Sequence, residues 1–143
     1  HLPSVAVSDT LDDLLSKVER GKYLAIMAYT RQTEEIDQVL SALRGKLTER
    51  HHLATTLGYG PRFLHSTGQL HKGGPDAGLF LQITTEHERD LPIPGTPYTF
   101  GVVADAQALG DFETLRSLNK PIIRVHSKTG DMAALSEFMR KLL

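Results

Sequence analysis

The residues best equipped for chemistry lie in one stretch, Gly58-Tyr-Gly-Pro-Arg-Phe-Leu-His-Ser-Thr-Gly-Gln-Leu-His-Lys-Gly-Gly-Pro75. Five glycines there are accompanied by two cations, Arg62 and Lys72, by His65 and His71, and by Ser66, Thr67 and Gln69. Such a composition suits an anion. Glycine lets the backbone approach a ligand closely, free backbone N–H groups favour negative charge, and arginine and lysine pair with it. Phosphate or carboxylate is the expected guest. Arg62 and Lys72 would take its charge, the N–H groups near Gly73 and Gly74 would cradle it, and His65, Ser66, Thr67 and Gln69 would hydrogen-bond the hydroxyls of a sugar that carries it, with His71 also among the binding residues. The plainer alternative is a glycine-rich surface loop whose polar groups satisfy one another.

Other chemistries fit less well. The glycine spacing matches neither the P-loop nor the dinucleotide-binding pattern. His65 and His71 are six residues apart, which is not the i, i+4 spacing of helical metal ligands, although either titrates in the range of an acid–base group. A nucleophilic triad from Ser66, a neighbouring histidine and Asp76 lacks the strand–turn–helix elbow it would need. Glu86 and Glu88 read as a solvated pair in a polar turn. Gly110 and Asp111 read as a helix stop and the cap of a continuation. Neither a metal nor a cofactor is expected.

Alternating elements would position this stretch. Leu11, Leu14, Leu15 and Val18 recur with helical period. Tyr23 to Tyr29 is a nearly unbroken apolar run, as expected of a strand covered on both faces. Thr33 caps a helix whose stripe is Ile36, Val39, Leu40, Leu43 and Leu47. Leu53 to Leu57 is a weaker strand, Arg62 to Pro75 has no clean period, and Gly78 to Thr84 is a strand again. Pro92, Pro94 and Pro97 keep the next connection irregular. A helix follows from Phe100 to Leu109, with a shorter continuation after Asp111. Pro121 to His126 is the last strand, and a final helix starts at Asp131. Strand, long helix, strand is a βαβ unit, so the expected fold is α/β: a three-layer sandwich with a small, mainly parallel sheet. A ferredoxin-like α+β order is the alternative if no helix lies between Arg62 and Pro75.

Composition sets the outer bounds. The 143 residues are 40% hydrophobic and 23% charged, with 16 Lys+Arg against 17 Asp+Glu. That is the size and balance of one globular domain, 1–143, without the basic excess that nucleic acid or an anionic membrane surface attracts. No apolar run nears the roughly 18 residues of a spanning helix. The absence of cysteine leaves no disulfide and no thiolate chemistry, and a cytoplasmic location is expected. The start at His1 suggests a piece of a longer chain.

The run Thr55-Thr-Leu-Gly-Tyr-Gly-Pro-Arg-Phe-Leu-His-Ser-Thr-Gly-Gln-Leu-His-Lys-Gly-Gly-Pro-Asp-Ala-Gly-Leu-Phe-Leu-Gln-Ile-Thr84 closely resembles the C-terminal region of bifunctional transaldolase/glucose-6-phosphate isomerase fusion proteins. Asp90-Leu-Pro-Ile-Pro-Gly-Thr-Pro-Tyr-Thr-Phe-Gly-Val103, Ala106-Gln-Ala-Leu-Gly-Asp-Phe-Glu-Thr-Leu115 and Arg124-Val-His126 extend the likeness. In those fusions an N-terminal barrel carries transaldolase chemistry and a pair of sugar-isomerase domains carries aldose–ketose isomerisation. This chain resembles the segment after both. The isomerase signature Phe-Asp-Gln-Pro-x-Val-Glu and the transaldolase Schiff-base lysine motif are absent here, so the resemblance assigns no catalytic residue. Ser66-Thr-Gly-Gln-Leu-His71 is similar to the Gly-Gln-His stretch around the ring-opening histidine of the isomerases, with Leu70 inserted.

The resemblance implies an accessory C-terminal module that binds a sugar phosphate or related anion at the 58–75 stretch. Its expected partners are the isomerase and transaldolase domains of the same parent chain, with a homo-oligomer left open. Two rival expectations stand beside this one. The stretch docks other domains without any ligand, or it donates His65 or His71 to the isomerase site.

Overall fold

The computed structural model describes residues 11–62 and 65–127. In chain order the elements are α1 (Leu11–Ser16), β1 (Tyr23–Tyr29), α2 (Glu34–His51), β2 (Ala54–Tyr59), α3 (Ser66–Gly73), β3 (Gly78–Thr85), α4 (Phe100–Ser117) and β4 (Ile122–Ser127). The strands form one sheet in the order β2-β1-β3-β4, and every pairing is parallel. An all-parallel sheet excludes the ferredoxin-like alternative, whose sheet is antiparallel. The final helix expected after Asp131 lies outside the described residues.

Side-chain alternation along the strands builds two cores. Leu24, Ile26 and Ala28 of β1 with Leu79, Leu81 and Ile83 of β3 face α2, which returns Ile36, Leu40, Leu43 and Leu47, and Leu14 of α1 joins them. Ala25, Met27 and Tyr29 with Phe80 face the other way, onto Ala108, Phe112 and Leu115 of α4. The architecture is therefore a three-layer α/β sandwich. All eight residues of β3 are buried, which explains why its sequence is apolar without alternation. Gln82, Thr84 and Thr85 are the buried polar positions, and Gln82 is satisfied within the fold: its Nε2 donates to Ala108 O at 2.8 Å and its Oε1 accepts from Arg124 Nε at 2.6 Å.

Helix ends follow local chemistry. Thr33 Oγ1 accepts from Ile36 N at 3.3 Å, and Glu34, Glu35 and Asp37 populate the first turn of α2, where the helix dipole favours carboxylates. Thr99 caps α4 in the same way through Val102 N at 3.2 Å.

Two expectations need correction. The stretch from Arg62 to Pro75 is not an irregular loop, because Ser66–Gly73 forms α3. Gly68 and His71 are its buried positions, so packing on the sheet outweighs the poor helix propensity of its glycines. Gly110 does not interrupt α4, nor does Asp111 cap a second helix; one helix runs from Phe100 to Ser117. A Cβ at Gly110 would meet nothing within 4 Å, so that glycine is simply an exposed helical position.

Candidate functional site: a crevice at the carboxyl edge of the sheet

The chain leaves β1 through α2 on one face and leaves β3 through α4 on the other, with the two strands adjacent. Segments diverging from neighbouring strand ends leave a gap between them, and open α/β sheets bind ligands there. The gap is present as a crevice of about 340 Å³. Tyr29, Thr30 and Arg31 line it from the end of β1, and Gly60 lines it from the end of β2. His87 and Arg89 line it from the turn after β3, and Gly101 and Asp105 from the first turns of α4. A second hollow of about 540 Å³ shares Arg31, His87 and Arg89 with it and is also lined by Glu35, Glu86 and Glu88.

Charge in the first crevice is unequally satisfied. Asp90 is engaged at the amino end of α4: its Oδ1 accepts from Gly101 N at 2.7 Å and its Oδ2 from Thr99 Oγ1 at 2.5 Å. The Thr99 hydroxyl, then the Gly101 N–H, hold the Asp90 carboxyl below the usual range. Asp105 pairs with His87 Nε2 at 3.0 Å. Gly101 is what admits this packing, since a Cβ there would lie 2.6 Å from Asp90 Oδ2 and 2.8 Å from His87 Cδ2. The guanidinium groups of Arg31 and Arg89, by contrast, are exposed and make no hydrogen bond or ion pair among the described residues. Among the described residues the crevice therefore presents two uncommitted cations while both of its carboxylates are engaged.

The nine residues singled out in the sequence are divided by the fold. Arg62 stands at the carboxyl edge, two residues past Gly60, with its Nη1 donating to Gln32 Oε1 at 3.3 Å. Gln32 in turn donates to Asp37, which also accepts from the Tyr59 hydroxyl at 2.6 Å. That tyrosine bond, followed by the bond from Gln32, lowers the Asp37 carboxyl. His65, Ser66, Thr67 and Gln69 are exposed at the start of α3, toward the same edge. His71 is buried, 5% exposed, with its ring edge-on to Phe80 at 5.1 Å. Burial pushes its pKa down; the Asp111 charge opposes that shift and Lys72 adds to it. Lys72 is committed to Asp111, Nζ to Oδ1 at 2.6 Å.

Gly73 and Gly74 stand at the far end of α3, about 10 Å along its axis from Ser66. Gly74 N donates to Leu70 O at 2.9 Å, and a Cβ on Gly74 would lie 2.3 Å from that oxygen. Its glycine serves helix termination and close packing, so its N–H is not available to cradle an anion. A single pocket gathering Arg62, Lys72, Gly73 and Gly74 does not form, because a helix separates its halves.

Sequence reasoning missed Arg31, Arg89, His87 and Gly101. For the first three the one sequence signal is position: Arg31 comes shortly after the end of β1, and His87 and Arg89 shortly after the end of β3. It also missed Asp111, which is buried in the α4 layer rather than placed at a helix start. No group of three or more metal-ligating side chains is placed to hold an ion among the described residues.

No family model matches the sequence, and no curated protein matches it. Among solved structures, the chain is similar to a hypothetical protein from Thermus thermophilus, with a TM-score of 0.70 and 18% identity. The alignment covers 85% of this chain and 34% of that one, so the likeness spans about a third of the length of its neighbour. What this similarity establishes is the fold: a parallel three-layer α/β sandwich.

Proposed function

We propose that this chain is an accessory domain of a longer cytoplasmic sugar-phosphate enzyme, of the transaldolase/glucose-6-phosphate isomerase fusion type, and that it binds a phosphorylated sugar at the carboxyl-edge crevice. The observation that carries the binding reading is the unequal pairing of these charges: among the described residues Arg31 and Arg89 have no hydrogen-bond or ion-pair partner, beside carboxylates that are engaged. Each guanidinium offers a planar fork suited to phosphate. Arg62, His65, Ser66, Thr67 and Gln69 rim the same edge and would meet sugar hydroxyls, whereas His71 is buried and Lys72 is bonded to Asp111. The sequence likeness over Thr55–Thr84 supports the identity of the parent.

The test is a phosphorus-31 and proton NMR titration of the chain with glucose 6-phosphate, fructose 6-phosphate and inorganic phosphate. Arg31→Ala and Arg89→Ala should each weaken binding about ten- to a hundredfold, in keeping with the ~1.5–3 kcal/mol of a charged hydrogen bond. Equal binding by parent and variants rejects the site.

A docking role has its own supporting observation. Leu91, Tyr98, Phe100, Val102 and Val103 are exposed together along the proline-rich connection and the start of α4, and contiguous exposed apolar surface commonly marks an interaction site. Light scattering of the chain alone and mixed with the isomerase and transaldolase domains tests that reading. Association abolished by Phe100→Ser supports it, and an unchanged monomer in both samples rejects it.

A further inference from the structure

Tyr29 belongs at once to the crevice wall and to a buried polar cluster behind it. Its ring occupies the space where Gly60 lacks a side chain: a Cβ there would lie 2.5 to 2.7 Å from three atoms of that ring. Its hydroxyl donates to Asp111 Oδ2 at 2.5 Å. The other carboxylate oxygen, Oδ1, takes Lys72 Nζ from the last turn of α3 at 2.6 Å. Asp111 is 4% exposed. One buried carboxylate on α4 is thus gripped from β1 and from α3. Well-packed apolar side chains would fill this space at no desolvation cost, and buried ion pairs rarely recover theirs. What such a cluster supplies is direction, because each member accepts few geometries. Burial, then the Asp111 bond, pushes the Tyr29 phenol far up, so it remains a donor at every working pH.

Resting on the crevice reading above, we infer that Asp111 is a positioning residue for that site: it seats the Tyr29 ring against Gly60 and, through Lys72, sets α3 to the same point. The crevice wall and the glycine-rich helix then share one anchor. Tyr29 reaches the crevice directly, whereas Asp111 and Lys72 act on the ligand only through it. The phosphorylated ligand itself meets Arg31 and Arg89.

The test uses the whole 143-residue chain, labelled for NMR, with inorganic phosphate and fructose 6-phosphate as probes. Tyr29→Phe and Lys72→Met are each expected to shift the Gly60 amide and to weaken fructose 6-phosphate binding at least threefold. The double variant should lose less than the product of the single losses, as groups acting through one intermediary do. Asp111→Asn, which keeps an acceptor oxygen for Tyr29, should retain more affinity than Asp111→Leu. If Lys72→Met lowers the unfolding midpoint but leaves the Gly60 amide and the affinity at parental values, the cluster is packing alone and the inference falls. If the parent binds neither probe yet Lys72→Met still moves the Gly60 amide, the anchor stands and the ligand reading fails. Should Lys72→Met not fold, Tyr29→Phe, which removes one oxygen atom, carries the same comparison.

Discussion

At the scale of single residues, the buried positions make sharp demands. Gly60→Ala would press a methyl group into the Tyr29 ring, whose nearest atom is 2.5 Å from the Cβ position. Overpacking of that kind costs about 1–3 kcal/mol, and a urea unfolding curve should show the loss without a change in slope. His71 gives a pH signature. Burial lowers its folded pKa, so above the unfolded value of about 6.5 both states are neutral and its packing contributes fully. As pH falls below that value, the unfolded chain takes up a proton that the native state refuses, and stability drops. His71→Leu should flatten this decline in midpoint between about pH 6.5 and 5. An unchanged slope would place the effect in other histidines.

At the scale of elements, the amino end of α4 carries two separate satisfactions of its free N–H groups. Thr99 Oγ1 accepts from Val102 N and Asp90 Oδ1 accepts from Gly101 N. Thr99→Ala removes the first and also releases the hydroxyl that donates to Asp90, so a loss of about 1–2 kcal/mol is expected by thermal denaturation. A loss below a few tenths would mean that Asp90 alone suffices. The elements were legible to different degrees for physical reasons. Tyr23–Tyr29 and Gly78–Thr84 announce themselves because a strand buried on both faces is predominantly apolar rather than alternating. Thr33 marks a helix start because its side chain accepts from its own helix, whereas the sequence reading places no cap at Thr99, which does the same for α4. Ser66–Gly73 gave no sign, since Gly68 is buried by contact rather than by hydrophobicity and Gly73 depresses helix propensity. Asp111 read as a cap because aspartate at a glycine usually is one, and only its partners Tyr29 and Lys72, distant in sequence, reveal its burial.

At the scale of the whole molecule, the site is a property of strand order. Arg31 and Arg89 are far apart in sequence, and nothing in their local surroundings distinguishes them from ordinary surface arginines. They meet because β1 and β3 are neighbours whose connecting helices pack on opposite faces. The glycine-rich segment, conspicuous in the sequence as a whole, is split by the fold: its start, with Gly60 and Arg62, reaches the carboxyl edge, whereas its end serves the fold at the opposite edge. Lys120 shows that second use, approaching Gly74 O at 3.4 Å and Asp76 Oδ1 at 3.6 Å.

Whether the two arginines at the switch point make an anion site is decided by fructose 6-phosphate titrated into the parent chain and the Arg31→Ala/Arg89→Ala double variant, followed by phosphorus-31 NMR. The account predicts a saturable phosphorus shift with the parent, perturbed amides confined to Thr30–Arg31, Gly60, Arg62, residues 65–69 and the 86–90 turn, and loss of both in the variant. A shift that survives in the variant, or amide changes gathered at Gly73 and Gly74 instead, would contradict it.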